Sequence, residues 1–143
     1  MNKKIKEGDI FIISDVLIGD DKLSLKNKIR LGKVIFISKI TKRTIGIVIS
    51  NNIYDEIPDD ISNINFLDKV FYTGNHFLKD RNWSIIGTQT VTDFEKELTT
   101  RLIGNSLWKL DIDLGVVKNE DRKKYNKQLI YGFEILYSVI DDI

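Results

Sequence analysis

Few side chains in this chain have the type and spacing that chemistry needs. The one histidine, His76, lies in Gly74-Asn75-His76-Phe77. Histidine is the usual general base near neutral pH and the commonest metal ligand. Without a cysteine or a spaced carboxylate pair, however, His76 has no companions with which to hold a metal, and it reads as structural or exposed. The densest group of carboxylates is Asp55, Glu56, Asp59 and Asp60. A calcium loop of the D-x-D-x-D-G kind needs a glycine that is missing here, so neither a metal nor a cofactor is expected. Two readings of the four acids stay open: a solvated loop with acids at a helix start, or a patch complementary to a basic partner surface.

Two basic groups flank the centre of the chain, Lys26, Lys28 and Arg30 on one side and Lys39, Lys42 and Arg43 on the other. Basic hairpin tips can contact phosphates, but charges at a turn also prevent sheet-to-sheet association, and the second role fits better. Trp83 and Trp108 read as packing residues rather than stacking platforms. No phosphate-cradling glycine loop, nucleophile elbow or Cys–His pairing is present, and the expectation is a protein that is not an enzyme.

Composition narrows the partners. The 143 residues carry 22 basic and 21 acidic side chains, a formal net charge of +1, so no global field draws the protein to a polyanion or an anionic membrane. A nucleic-acid partner is disfavoured. The start, MNKKIKEGDI, is basic but has no apolar run of signal-peptide length, and no stretch reaches the length of a membrane span. The absence of cysteine suits a reducing compartment. One domain spanning residues 1–143 in the cytoplasm is the expectation.

The elements that must position these side chains are organised around Gly32 to Ser50. Ten of the seventeen residues from Val34 to Ser50 are β-branched, and they flank the polar loop Thr41-Lys42-Arg43-Thr44, which predicts a hairpin. In the second arm Ile45, Ile47 and Ile49 share one face, while in the first Val34 and Phe36 oppose Ile35 and Ile37. Both faces of the first arm are apolar, so chain must cover each side.

Around the hairpin, a turn at Lys6 to Asp9 opens a strand over residues 10–13, and Gly19-Asp20-Asp21 turns into a short strand over residues 22–26. Pro58 predicts a short helix to about Asn65, followed by a strand over residues 68–73, a helical turn or loop over residues 75–82 and a short apolar segment over residues 83–87. Thr92 or Asp93 caps a helix with Phe94, Leu98 and Leu102 on one side, and a strand over residues 107–112 turns at Asp113 to Gly115 into Val116-Val117. Tyr125, Leu129, Phe133, Leu136, Ile140 and Ile143 recur at helical spacing, which predicts one amphipathic helix from Glu120 to Ile143. The predicted fold is α+β: a small curved, mostly antiparallel sheet or partly open, SH3-like barrel, with the C-terminal helix packed on it.

Three stretches of this frame resemble the bacterial immunity protein twenty-six family of polymorphic toxin systems. They are Gly8-Asp9-Ile10-Phe11-Ile12, Gly32-Lys33-Val34, and Arg81-Asn82-Trp83-Ser84-Ile85-Ile86-Gly87, the last similar to the family's basic-x-Trp-x-Ile-Ile-Gly signature. Ser84 stands where the family often has proline, the connection from Ser14 to Leu31 is longer, and Phe94 to Ser106 has no counterpart. The resemblance implies a cytoplasmic protein that binds a cognate toxin domain and neutralises it stoichiometrically. It also implies that Gly8, Asp9, Gly32, Val34, Trp83, Ile86 and Gly87 serve the fold, but not which face binds; charge complementarity to a basic toxin groove makes Asp55, Glu56, Asp59 and Asp60 the expected partner contacts. As an alternative, Gly8-Asp9-x-Phe followed by Gly32-x-Val loosely resembles the strand–loop–strand motif of small nucleic-acid-binding barrels.

Overall fold

In the computed structural model, which describes residues 4–143, the β-branched segment forms the middle of the largest sheet. The basic start at residues 1–3 lies outside the described residues. The chain opens with β1 (Asp9–Ile13), a small hairpin of β2 (Val16–Ile18) and β3 (Asp21–Leu23), and the long hairpin of β4 (Arg30–Ile37) and β5 (Thr44–Ile49). Next come β6 (Phe71–Gly74), the short helix α1 (His76–Lys79), β7 (Ile85–Thr88) and α2 (Asp93–Leu98). A meander of β8 (Arg101–Ile103), β9 (Ser106–Lys109) and β10 (Ile112–Val116) leads through a 3-10 segment, Asn119–Lys124, to β11 (Ile130–Tyr131) and α3 (Phe133–Asp141).

The fold is α+β, with mostly antiparallel strands. The main sheet has the order β11-β6-β5-β4-β1-β7 and does not close into a barrel. Its one parallel pairing sets β11 against β6. The segment Leu136, Tyr137 and Ile140 of α3 is buried against one face, in a cluster with Phe11, Val34, Ile47 and Phe71.

Strand β4 is buried on both faces, as its composition requires. Strict alternation, however, fails inside it. The register against β5 shifts between Val34 and Phe36, and this bulge changes which face each side chain meets. Val34 joins the α3 side, Ile35 and Phe36 both join a second cluster with Val48 and Tyr72, and Ile37 packs back against the first. The predicted pairing of Val34 with Phe36 on one face is corrected accordingly.

Other expectations shift for identifiable reasons. The region from Pro58 to Asn65 is not helical. There Asp60 Oδ1 accepts from the Ser62 amide at 2.9 Å, and Asp60 Oδ2 accepts from Asn63 Nδ2 at 2.9 Å, local bonds that compete with helix formation. The single helix from Glu120 to Ile143 is replaced by a 3-10 turn, a strand and the nine-residue α3. The backbone before Gly132 is taken up by strands: Leu102 N donates to Asn126 O, and Gln128 N to Leu102 O, each at 2.8 Å. Tyr131 pairs with Thr73, whose hydroxyl donates to Tyr131 O at 2.8 Å. Thr92 does cap α2 in a full capping box with Glu95. Its predicted apolar side is corrected, because Phe94 is exposed and Leu102 belongs to β8. The predicted turn at Asp113 to Gly115 moves to Leu110 and Asp111, between β9 and β10. Among the described residues no helix is long and apolar enough to cross a membrane.

Two tyrosines link this packing to pH. Burial pushes the Tyr72 hydroxyl up to about 12, against the pull of Arg101. Burial likewise pushes Tyr137 up to about 12, opposed by its bond from Trp83. A folded-state value above the ordinary 10 keeps the neutral phenol favoured. The stability it contributes is full below pH 10 and is lost as pH rises through about 12. Ultraviolet titration should show Tyr72 and Tyr137 ionising only near pH 12, together with loss of the near-ultraviolet circular dichroism. Ionisation of both at pH 10 in a folded protein would contradict this.

Candidate functional site

The three stretches that carry the family resemblance lie far apart in sequence, yet they fold as neighbours. Strand β1 sits between β4 and β7, pairing Phe11 with Gly32 on one side and Ile10 with Gly87 on the other. A Cβ at Gly32 would run into the ring of Phe11, so glycine is what lets this ring lie flat across β4. Phe11 stacks on Trp83 with centroids 5.1 Å apart. Fully buried, Trp83 donates from Nε1 to Tyr137 Oη at 2.8 Å, and Tyr137 donates to Ser14 O at 2.6 Å. Gly8 turns with φ +98°, Asp9 is buried and accepts from the Lys6 amide at 2.8 Å, Val34 is in the core, and Ile86 is half-buried. These residues build one wall of the sheet and its core.

Lys33, in the middle of one of these stretches, is a feature that sequence reasoning missed. It is 2% exposed. Its Nζ donates to Glu95 Oε1 at 2.7 Å and to Thr90 O at 2.9 Å. The same Glu95 oxygen accepts from the Thr92 amide at 2.9 Å, so one carboxylate closes the capping box of α2 and neutralises a lysine in the sheet. The only sequence signal was Glu three residues after Thr92.

The four predicted acids do lie together on an exposed loop, and they have different tasks. Asp55 forms an ion pair with Lys28. Asp60 is occupied by Ser62 and Asn63; the Ser62 bonds outweigh the small opposing effect of burial and hold its carboxyl below the usual range. Glu56 and Asp59 make no hydrogen bond or ion pair among the described residues, and both are exposed. Beside them Ile53 and Ile57 are 52% and 48% exposed. No lysine or arginine interrupts residues 51–68. The outcome is an acidic surface with apolar points.

This loop has no regular secondary structure but is anchored at several places. Its two ends bridge at Ser50 and Phe66, Tyr54 bridges Ile29, and Asn51 N donates to Asn65 O at 2.9 Å. Gln89 Nε2 donates to Ile61 O at 2.7 Å. Ile61 also fills the space over Gly87, where a Cβ would collide with its terminal methyl. Gly87 therefore seats the acidic loop on β7. Gly87→Ala should push Ile61 outward at a cost of about 1 kcal/mol, because the obstacle is the flexible end of a half-buried side chain. Amide shifts confined to residues 57–64 would check this, and global unfolding would count against it.

The remaining candidates do not assemble. His76 is exposed at the start of α1. Lys26 pairs with Asp141 at 3.4 Å, Lys28 with Asp55, and Arg30 is buried with Nη1 on Ser50 O at 2.6 Å. Those three cations thus point to three different partners. Lys39, Lys42 and Arg43 are exposed around the turn between β4 and β5, and Trp108 is half-buried in β9. Among the described residues no group of three or more metal-ligating side chains is present.

Comparison with family models, with curated proteins and with solved structures gives no match to this chain. The likeness to immunity proteins therefore rests on the three short stretches themselves, which the fold brings together as β4, β1 and β7.

Proposed function

We propose that this protein is an immunity protein that binds a cognate toxin domain of a polymorphic toxin system and neutralises it by stoichiometric surface blockade in the cytoplasm, with no catalysis of its own. The observation that carries this reading is the acidic loop over residues 51–68, held in place by the signature strand β7 and presenting Glu56, Asp59, Ile53 and Ile57 outward. A loop already fixed loses little conformational entropy on binding. Unpaired carboxylates steer a basic partner, and nearby isoleucines supply apolar contact once the surfaces meet. Asp55 and Asp60 hold the loop's shape while Glu56 and Asp59 are the contact charges.

Co-expression with the toxin encoded beside the gene should restore growth, and calorimetry of the purified pair should show one-to-one binding. The paired reversal of Glu56 and Asp59 to lysine should leave stability within about 0.5 kcal/mol of the parent, as for exposed sites generally. It should weaken toxin binding by at least about tenfold, mostly through slower association at low salt. No binding of the parent at micromolar concentration would sink the proposal. Undiminished binding of the reversed variant would move the contact surface elsewhere.

A further inference from the structure

A second surface feature lies where Arg101 lines a groove of about 860 Å³ between the approach to β6, the end of α2 and the segment before β11. Arg101 is 4% exposed. Its Nη1 donates to Thr99 O at 3.0 Å and Leu110 O at 2.6 Å, and its Nε to Gln128 Oε1 at 2.9 Å. The guanidinium carbon lies 5.1 Å from the centroid of Tyr72 and 5.2 Å from that of Phe36. Every one of these partners is neutral. Among the described residues no carboxylate forms an ion pair with Arg101, and its Nη2 donates to nothing. A buried cation that no carboxylate contacts is costly. Desolvation lowers the Arg101 pKa, and the longer-range pull of Tyr72 and Asp111 offsets this only in part.

We infer that this groove binds a small monocarboxylate with an apolar body, anchored by an ion pair from Arg101. A carboxylate oxygen can accept one charge-assisted bond from Nη2 on the Nε–Nη2 edge of the guanidinium. Here one position on that edge holds the Gln128 carbonyl and the other is open. Leu98, Val70 and Leu129 supply apolar walls, and the volume falls in the range of small-molecule sites. Charge limits the anion. Lys69, Lys127 and Arg101 face Asp68 and Glu97, a surplus of one positive charge, which suits a monoanion better than a doubly charged phosphate. The inference stands apart from the toxin reading, since only Asp68, the last residue of the acidic loop, reaches this groove and none of Asp55, Glu56, Asp59 and Asp60 lines it.

The test is an NMR titration of the full chain with hydrocinnamate, its neutral counterpart hydrocinnamide, and inorganic phosphate. Hydrocinnamate should give saturable shifts at Tyr72, Arg101 and Gln128, with the amide about tenfold weaker because its neutral carbonyl cannot complete the ion pair. Phosphate should compete poorly. Leu129→Glu, at a side chain 60% exposed, should leave the spectrum folded and abolish the shifts. Arg101→Gln should abolish them as well. Should that variant unfold, the acid-to-amide comparison and Leu129→Glu still decide. Equal binding of acid and amide, binding that survives Leu129→Glu, or shifts confined to other surfaces would overturn the inference.

Discussion

Lys33→Met is expected to destabilise the fold by about 3–5 kcal/mol, the usual consequence of removing one partner from a buried ion pair. The ammonium leaves, but Glu95 remains mostly buried as a carboxylate still tied to the Thr92 amide. Thr90 O loses its donor too. The loss would be a large part of a typical stability of about 5–15 kcal/mol. Pairing the change with Glu95→Gln should recover much of it, because glutamine keeps the capping box and the uncompensated charge disappears. Urea denaturation of both singles and the double completes the cycle. A double variant as unstable as Lys33→Met alone would show that lost packing, rather than the orphaned charge, dominates.

Trp83→Ala should cost a similar amount, about 3–5 kcal/mol, for a different reason. The indole is fully buried and in ring contact with Phe11, Phe77, Phe133 and Tyr137 at centroid separations of 5.1 to 6.4 Å. Those rings come from β1, α1 and α3, so a cavity there loosens three elements at once and cannot be closed by moving one. Trp83→Phe should be milder, keeping most of the contact but leaving Tyr137 Oη without its donor. With Trp83 removed, Trp108 alone reports fluorescence. Under the proposed function the folded fraction of Trp83→Ala still binds toxin at parental affinity, whereas reversing Glu56 and Asp59 does the opposite: a stable fold and a weak complex. Loss of affinity in fully folded Trp83→Ala would place this residue in the binding surface after all.

The sheet was legible where local preference and tertiary burial agree. Val34 to Ser50 has one consistent pattern of stiff apolar side chains, and it is β4 and β5; Thr92 with Glu95 is a cap by local chemistry alone. The C-terminal region misled because its apolar spacing has two solutions. Tyr125 and Leu129 match a helical stripe with Leu136 and Ile140, but residues 126–131 find strand partners in β8 and β6, contacts that no short window of sequence contains. The acidic loop was visible as composition. Its division into anchoring carboxylates at Asp55 and Asp60 and unengaged ones at Glu56 and Asp59 depended on Lys28, Ser62 and Asn63. Arg101 gave no signal, since a basic residue after a helix is ordinary until the rings of Phe36 and Tyr72 close around it.

The bulge between Val34 and Phe36 makes β4 a party wall. The cluster under α3 leans on Val34 and Ile37 from one side, and the cluster containing Val48 and Tyr72 leans on Ile35 and Phe36 from the other. Neither can open without stripping the surface that supports its neighbour. Two cores that share one strand in this way should melt as a single cooperative unit.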